Sequence, residues 1–247
     1  MREHNIKAEY VAIDVAEGDF ESTFQRLASE GANGLNITQP HKFSALAAAT
    51  TVSETAQRIG ASNTLIRRDN EWHAENTDAP GFRYTLRSAG IESMGTRFAL
   101  IGAGGAARGV VEALTSGGAS VHILNRTPSK AAMLAADFLN VTYSEEAFNG
   151  YVAGIENFDV LINTASFGYE GADFGLPAGG DRLFYDISYG NAAEATLRAA
   201  HGTGWRTMDG LAMLVAQAAY SFEHWFDIFP DIEPVLKMCR TTVEKKA

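Results

Sequence analysis

Three groups of residues in this 247-residue chain have types and spacings that could do chemistry. The first is Gly102-Ala103-Gly104-Gly105-Ala106-Ala107, which fits the G-x-G-x-x-G/A pattern at Gly102, Gly104 and Ala107. In a dinucleotide site Gly102 permits the tight turn, Gly104 lets the backbone approach a pyrophosphate, and Ala107 lets the helix lie close to the strand. The N–H groups that open the helix then face the phosphates. Glycine-rich turns also join strands to helices without a ligand, so the flanking residues decide. The second group, Asn125-Arg126-Thr127 followed by Lys130, stands where an NAD site would place an acid for the ribose hydroxyls. Guanidinium and ammonium there suit a 2′-phosphate, which selects NADP, whereas the bland alternative is a solvated basic turn. The third group, Asn36-Ile37-Thr38-Gln39-Pro40-His41-Lys42, puts polar groups and a lysine where a strand ends and Pro40 starts a helix. Open α/β sheets bind ligands at such carboxyl ends.

Periodicity supplies the elements that must hold these groups. Phe98 to Ile101 is a short apolar run suited to a buried strand, Val110, Val111 and Leu114 give the next helix an apolar stripe, and Gly117-Gly118 stops it. Val121 to Leu124 is a second strand, so 97–127 forms one βαβ unit. Ser129 to Leu139 reads as a helix, and Asp159–Asn163, Leu183–Ile187 and Trp205–Met208 as further parallel strands, with a helix over Ala192–Ala200. Earlier in the chain, Glu9 to Val15 alternates like a strand, Asp19 to Ser29 has helical spacing, and Gly34 to Thr38 is a strand. This β–α–β order points to a second parallel sheet. Helices over Lys42–Ala49 and Val52–Ile59 precede a hairpin of Ser62–Ile66 and Glu71–Ala74, turning at Asp69-Asn70. Asp78, just before Ala79-Pro80 and a helical run, taken alone reads as a helix N-cap. The chain closes with two helices, Asp209–Phe226 and Asp231–Val243, expected to pack back on the first domain.

Composition narrows the class. A net charge of −10 argues against a nucleic-acid surface, which would need a basic stripe, and makes the basic residues near the glycine loop stand out. The single cysteine, Cys239, excludes an intramolecular disulfide and a Cys-rich metal site; its default reading is buried and inert. No apolar run is long enough for a membrane span, and MREHNIKAEY lacks the apolar core of a signal peptide. The expectation is a cytoplasmic soluble protein that takes a small-molecule substrate and no metal.

Eight motifs, NITQPHK, IGASNT, NTD, GAGGAAR, NRT, INTASFG, DISY and DGLAMLVAQAA, occur here in the order and rough spacing of the shikimate dehydrogenases. The resemblance runs from about Tyr10 to Trp225. It implies two α/β domains: residues 1–80 as a substrate domain with a mixed sheet, joined by 209–247 packing back, and 81–208 as a Rossmann NADP-binding domain. It also implies reduction of 3-dehydroshikimate to shikimate with NADPH by a monomer or homodimer. By the same resemblance Lys42 and Asp78 look like the catalytic pair, and Thr38, Asn63, Tyr189 and Gln217 like substrate contacts. Gly102, Gly104, Gly105, Ala106, Asn125, Arg126, Thr127 and Lys130 look like cofactor contacts, with Asn163, Thr164 and Met213 lining the nicotinamide side.

The chemistry makes independent sense of the pair. Hydride arriving at a ketone carbon leaves an alkoxide, which must take a proton from a nearby donor; an ordinary lysine is charged at neutral pH and a neighbouring carboxylate keeps it so. His41, next in sequence, is expected to point elsewhere. Gln217 without the resemblance is a polar residue on an apolar helix.

The departures bear on function. The family normally opens with a strand, a glycine turn and a Ser-x-Ser-Pro motif whose hydroxyls hold the substrate carboxylate, whereas this sequence starts at about the end of the following helix. Weakened substrate binding is the expectation. Tyr169 stands where the family often has Met, and Gly190-Asn191 where it usually has Asn-Pro. The alternatives are a quinate or amino-shikimate dehydrogenase and, in another class, a non-catalytic dinucleotide-binding protein.

Overall fold

The computed structural model describes residues 4–150, 154–166 and 175–245. The first elements are α1 (Phe20–Ser29), β1 (Gly34–Asn36), α2 (Lys42–Ala48), β2 (Thr51–Val52), α3 (Glu54–Ile59), β3 (Thr64–Arg68) and β4 (Glu71–Glu75). Local chemistry accounts for their ends. The Ser53 hydroxyl accepts from the Ala56 N–H to cap α3, and Gly60, at φ +71°, closes it in the left-handed conformation that a side chain would resist. Asp69 and Asn70 both take positive φ, the pair of left-handed residues that a two-residue hairpin turn demands.

These strands form one sheet in the order β1-β3-β4-β2. β1 runs antiparallel to β3, β3 antiparallel to β4, and only β2 and β4 are parallel. The sheet is therefore mixed, and the parallel reading of the β–α–β order fails because its first strand, Glu9–Val15, is not formed and β1 pairs antiparallel with β3. No strand forms at Glu9–Val15. Alternation there had nothing to bury: Tyr10, Val11 and Ile13 are exposed. Phe20, Phe24, Leu65 and Trp72 make the core of this half.

The chain then passes through α4 (Asp78–Ser88) into β5 (Arg97–Ile101), α5 (Gly105–Thr115), β6 (Ser120–Leu124), α6 (Pro128–Ala136), β7 (Val141–Tyr143), β8 (Val160–Asn163), β9 (Leu183–Asp186), α7 (Asn191–Gly202) and β10 (Arg206–Met208). Helices α8 (Leu211–Phe226) and α9 (Ile232–Glu244) follow. The six later strands form a parallel sheet in the order β10-β9-β8-β5-β6-β7, the doubly wound arrangement whose order reverses between β5 and β8. Its inner strands are buried on both faces, as their continuous apolar runs require. Phe98, Leu100 and Tyr185 face a core shared with α4, α5 and α6, while Ile101, Phe184 and Trp205 build the core on the opposite face. Each such large side chain contributes about 1.5–3 kcal/mol by leaving water.

The helices α4, α5 and α8 join the halves. A Cβ at Gly81 of α4 would lie 2.9 Å from the Gln217 backbone nitrogen of α8, so this crossing exists only because residue 81 has no side chain. Helix α8 also reaches the mixed sheet: Trp225 Nε1 donates to the Leu65 carbonyl oxygen at 3.1 Å. Helix α9 packs on α8, with Cys239 half-buried against it. Among the described residues no helix is long and apolar enough to cross a membrane.

Candidate active site

Lys42 opens α2 and Asp78 opens α4. Asp78 is the first helical residue rather than the N-cap, a position held by Thr77, whose hydroxyl makes no capping bond, so the capping expectation for Asp78 fails. Its carboxylate is instead free to pair. Lys42 Nζ donates to Asp78 Oδ2 at 2.6 Å, with side chains only 14% and 10% exposed. The other oxygen, Oδ1, accepts from Asn63 Nδ2 at 2.9 Å.

Asn63 is the hub. Its side-chain oxygen Oδ1 accepts from the Thr77 N–H at 2.8 Å and the Thr64 hydroxyl at 3.0 Å. Its amide also lies 3.3 Å from Gln217 Oε1. Four residues from four elements and loops thus converge: Lys42, Asn63, Asp78 and Gln217. A second layer lies beneath them that the sequence does not announce. The buried Ser221 hydroxyl bonds with Thr64 Oγ1 at 2.8 Å, Thr77 Oγ1 at 3.1 Å and Asn36 Nδ2 at 3.0 Å. Its one available signal is a polar pair, Gln217 and Ser221, one helical turn apart on an apolar helix.

Other expected contacts stand at the rim. Thr38 is exposed beyond β1, and Tyr189 is 40% exposed in the loop after β9; neither bonds to the cluster. His41 turns away, its Nε2 2.9 Å from the Val15 oxygen and its ring stacked on Phe20. Beside this rim lies a groove of about 970 Å³ between residues 7–15 and the free edge of β1, lined also by Asn36, Thr38 and Trp225. Its lining includes His41 but neither Lys42 nor Asp78.

The switch point of the parallel sheet lies between β5 and β8, and α5, which follows β5, meets Asp78 at Gly109. Gly102, at φ +109°, ends β5; a Cβ there would meet the Thr164 hydroxyl at 2.5 Å, so the glycine serves close approach as well as the turn. Thr164 Oγ1 donates to the Ile101 oxygen at 2.7 Å. Gly104 is the N-cap of α5 and supplies no side-chain acceptor, leaving the first N–H groups of the helix open. A Cβ at Gly104 or Gly105 would meet nothing, so the space over this terminus is free for a ligand. Open donors at a helix N-terminus beside a switch point fit a dinucleotide pyrophosphate.

Arg126, Thr127 and Lys130 are exposed together at the end of β6 and the start of α6, while Asn125 Nδ2 holds the turn by donating to the Thr127 oxygen at 2.8 Å. No acid stands at that strand end. Asn163 is buried and committed: its amide donates to Asp186 Oδ2 at 2.8 Å and to the Ala165 oxygen at 3.1 Å. It therefore shapes the loop after β8 and leaves the exposed part of that loop to touch a ligand. Met213 is buried in the core shared with Phe82 and Tyr185. Tyr185 stacks on Phe82 at 5.3 Å between ring centroids, and burial drives its phenol well above the usual range, so it stays a neutral partner of Thr85. The Phe167–Glu170 stretch, with Tyr169, lies outside the described residues.

Family models match three stretches of the chain: the shikimate dehydrogenase substrate binding domain over residues 1–65, shikimate / quinate 5-dehydrogenase over 87–168, and the shikimate 5′-dehydrogenase C-terminal domain over 210–237. The shikimate dehydrogenase (NADP(+)) of Hyphomonas neptunium is 46% identical over 244 residues, covering 99% of this chain and 90% of its own length. That of Xylella fastidiosa strain 9a5c is 38% identical over 242 residues, covering 95% of this chain and 86% of its own. The crystal structure of the shikimate 5-dehydrogenase of Thermus thermophilus, in complex with NADP(H) and shikimate, superposes with a TM-score of 0.83. It shares 29% identity and covers 97% of this chain and 90% of its own.

Proposed function

This chain belongs to the shikimate dehydrogenase family, and we propose that it interconverts 3-dehydroshikimate and shikimate with NADP(H), Lys42 acting as the proton donor. The observation that carries the reading is the largely buried 2.6 Å Lys42–Asp78 pair, against which α5, the helix with the open N-terminus at the switch point, rests through Gly109. NADPH, when bound, supplies the hydride that the substrate carbonyl carbon receives.

The rest is done by side chains of this chain. Negative charge building on the substrate oxygen needs a proton within hydrogen-bond reach. An ammonium has three donors; Asp78 takes one from Lys42 and leaves others for the substrate oxygen. Asn63 fixes the second carboxylate oxygen of Asp78, so the lysine is held in one direction instead of sweeping through its rotamers. In the oxidative direction Lys42 receives the hydroxyl proton. Thr38, Asn63, Gln217 and Tyr189 would orient the substrate ring by its hydroxyls and carboxylate. Gly102, Gly104, Gly105 and Ala106 would hold the pyrophosphate, Asn125, Arg126, Thr127 and Lys130 the 2′-phosphate, and Asn163, Thr164 and Met213 the wall beside the nicotinamide.

The same reading divides the chain into a catalytic half, 1–80 with 209–247, and a cofactor half, 81–208, meeting in the first turn of α4. A single cysteine in 247 residues supports a reducing, cytoplasmic setting. The test is shikimate-dependent reduction of NADP by the purified chain, with quinate and NAD as parallel arms. Turnover with shikimate and NADP above the other combinations is the expected result. NADP binding with no turnover of either acid would reduce the protein to a dinucleotide-binding module and overturn the reading.

A further inference from the structure

A carboxylate taken out of water is stable only when charged partners replace the lost solvation. Glu112, on the middle of α5, is 2% exposed. Its Oε1 accepts from Arg58 Nη2 at 3.0 Å and its Oε2 from Arg83 Nη1 at 3.2 Å. The three residues belong to α5, α3 and α4, so one buried anion ties the glycine-loop helix to a helix of the catalytic half and to the helix that carries Asp78. One turn earlier on α5, Arg108 Nε donates to the carbonyl oxygen of Ile59 at the end of α3, while Nη2 pairs with Asp137 at 2.8 Å.

Between these two ties lies Gly109. A Cβ there would stand 3.2 Å from the Asp78 Cβ, so α5 rests directly on the residue that orients Lys42. The same helix begins at Gly105, in the cradle proposed for the pyrophosphate. An α-helix of 11 residues is a stiff rod about 16 Å long, and movement at one end is carried along it.

We infer that Glu112, gripped by Arg58 and Arg83, is a positioning residue that seats α5 on Asp78 and so sets how the bound cofactor stands relative to the Lys42–Asp78 pair. The inference rests on the function proposed above. The ties run along the flank of α5 that faces α3 and α4, so the cluster governs registry between the halves. A misplacement of about 1 Å at the reacting centre costs on the order of a hundredfold in rate.

The decisive variant is Glu112→Gln, which keeps the shape and removes the charge; Arg58, 54% exposed, and Arg83, 29% exposed, can turn to solvent. The expected result is kcat lower by about tenfold to a hundredfold, with the KM values for NADP and shikimate near those of the parent. The kinetic isotope effect with NADPH deuterated at its transferred position should rise, because hydride transfer becomes slower than product release. A second readout needs no turnover. Binding of NADP should slow hydrogen exchange in both 105–115 and 78–88 of the parent, but only in 105–115 of Glu112→Gln.

A folded Glu112→Gln protein with parental kcat, or with NADP-induced protection of 78–88 intact, would overturn the inference. If that variant fails to fold, Arg58→Met carries the same measurements with the same expected pattern. A parent that protects 78–88 on binding NADP yet never oxidises shikimate would sink the proposed function, and the exchange comparison would still judge the coupling.

Discussion

The two sheets of this molecule reach stability by different routes. In the parallel sheet, β5, β8 and β9 are buried along nearly their whole length, and each strand lies between neighbours drawn from the same stretch of sequence. In the mixed sheet β1 is half-buried, β2 is two exposed residues long, and the polar interior is completed by α8 from the far end of the chain. The cofactor half is organised by its own apolar periodicity, whereas the catalytic half borrows its closure. A site whose polar groups must remain available to substrate cannot also be a dry core. The difference teaches that a polar cluster open to a ligand and a dry core occupy separate regions, linked by α4, α5 and α8.

The sharpest test of that separation is Lys42→Ala. We expect kcat for shikimate oxidation to fall by about 10² to 10⁴ while NADP affinity, measured by fluorescence titration, stays near parental. A variant that lost only substrate affinity would make Lys42 a binding contact and remove the chemical half of the comparison.

Next in size is Arg126→Ala, which probes the other side. Charge-assisted contacts to a phosphate are worth about 1.5–3 kcal/mol, so NADP binding should weaken at least about tenfold with NAD barely changed. Equal losses would show that the exposed guanidinium does not read the phosphate.

Gly34→Ala tests the borrowed closure. A Cβ at position 34 would lie 2.3 Å from Trp225 Nε1, so the indole by which α8 bonds to Leu65 must move off the mixed sheet. Overpacking of this kind costs about 1–3 kcal/mol. Hydrogen exchange should rise in 34–75 and remain parental in 97–124. A uniform rise would show that the two sheets unfold as one unit.

The smallest expected effect lies within β6. Burial lowers the His122 pKa below its ordinary 6.5, so between the two values the folded state holds a neutral ring while the unfolded chain binds a proton. The contribution to stability is then fully present above about pH 6.5 and is lost as pH falls through the lower folded value. Urea unfolding of the parent and of His122→Leu between about pH 5 and 7 should show a shallower pH slope in the variant. Parallel slopes would mean that this histidine does not titrate differently on folding.

Much of the cofactor half is legible in the sequence because its signals are local. A fingerprint, an apolar stripe and two strands occur within 97–127, and the structure places each in turn. Strand β7 escapes such a reading, since Val141–Tyr143 is short and largely exposed and has no pattern to read. The catalytic half is harder. Glu9–Val15 alternates without a partner, β2 is too short for a period, and the antiparallel pairing of β1 with β3 is a tertiary fact. Motifs point to Lys42 and Asp78, but the pairing that makes them useful depends on Asn63 and Ser221, polar residues whose partners are far away in sequence. The Glu112 cluster is invisible for the same reason: three charged residues on three helix surfaces read as solvated faces until the helices meet.

The return of α8 to the first sheet has a consequence for synthesis. Asn36 finds Ser221 across 185 positions, and Leu65 finds Trp225 across 160. A ribosome delivers the first sheet before either partner exists, and contacts of such separation close late. The parallel sheet, complete by β10, can condense while the catalytic half still waits on the nascent chain. Assembly back to front is the expected order: the parallel sheet, made second, can close first, and the cluster of Lys42, Asn63, Asp78 and Gln217 is complete only once α8 has left the exit tunnel.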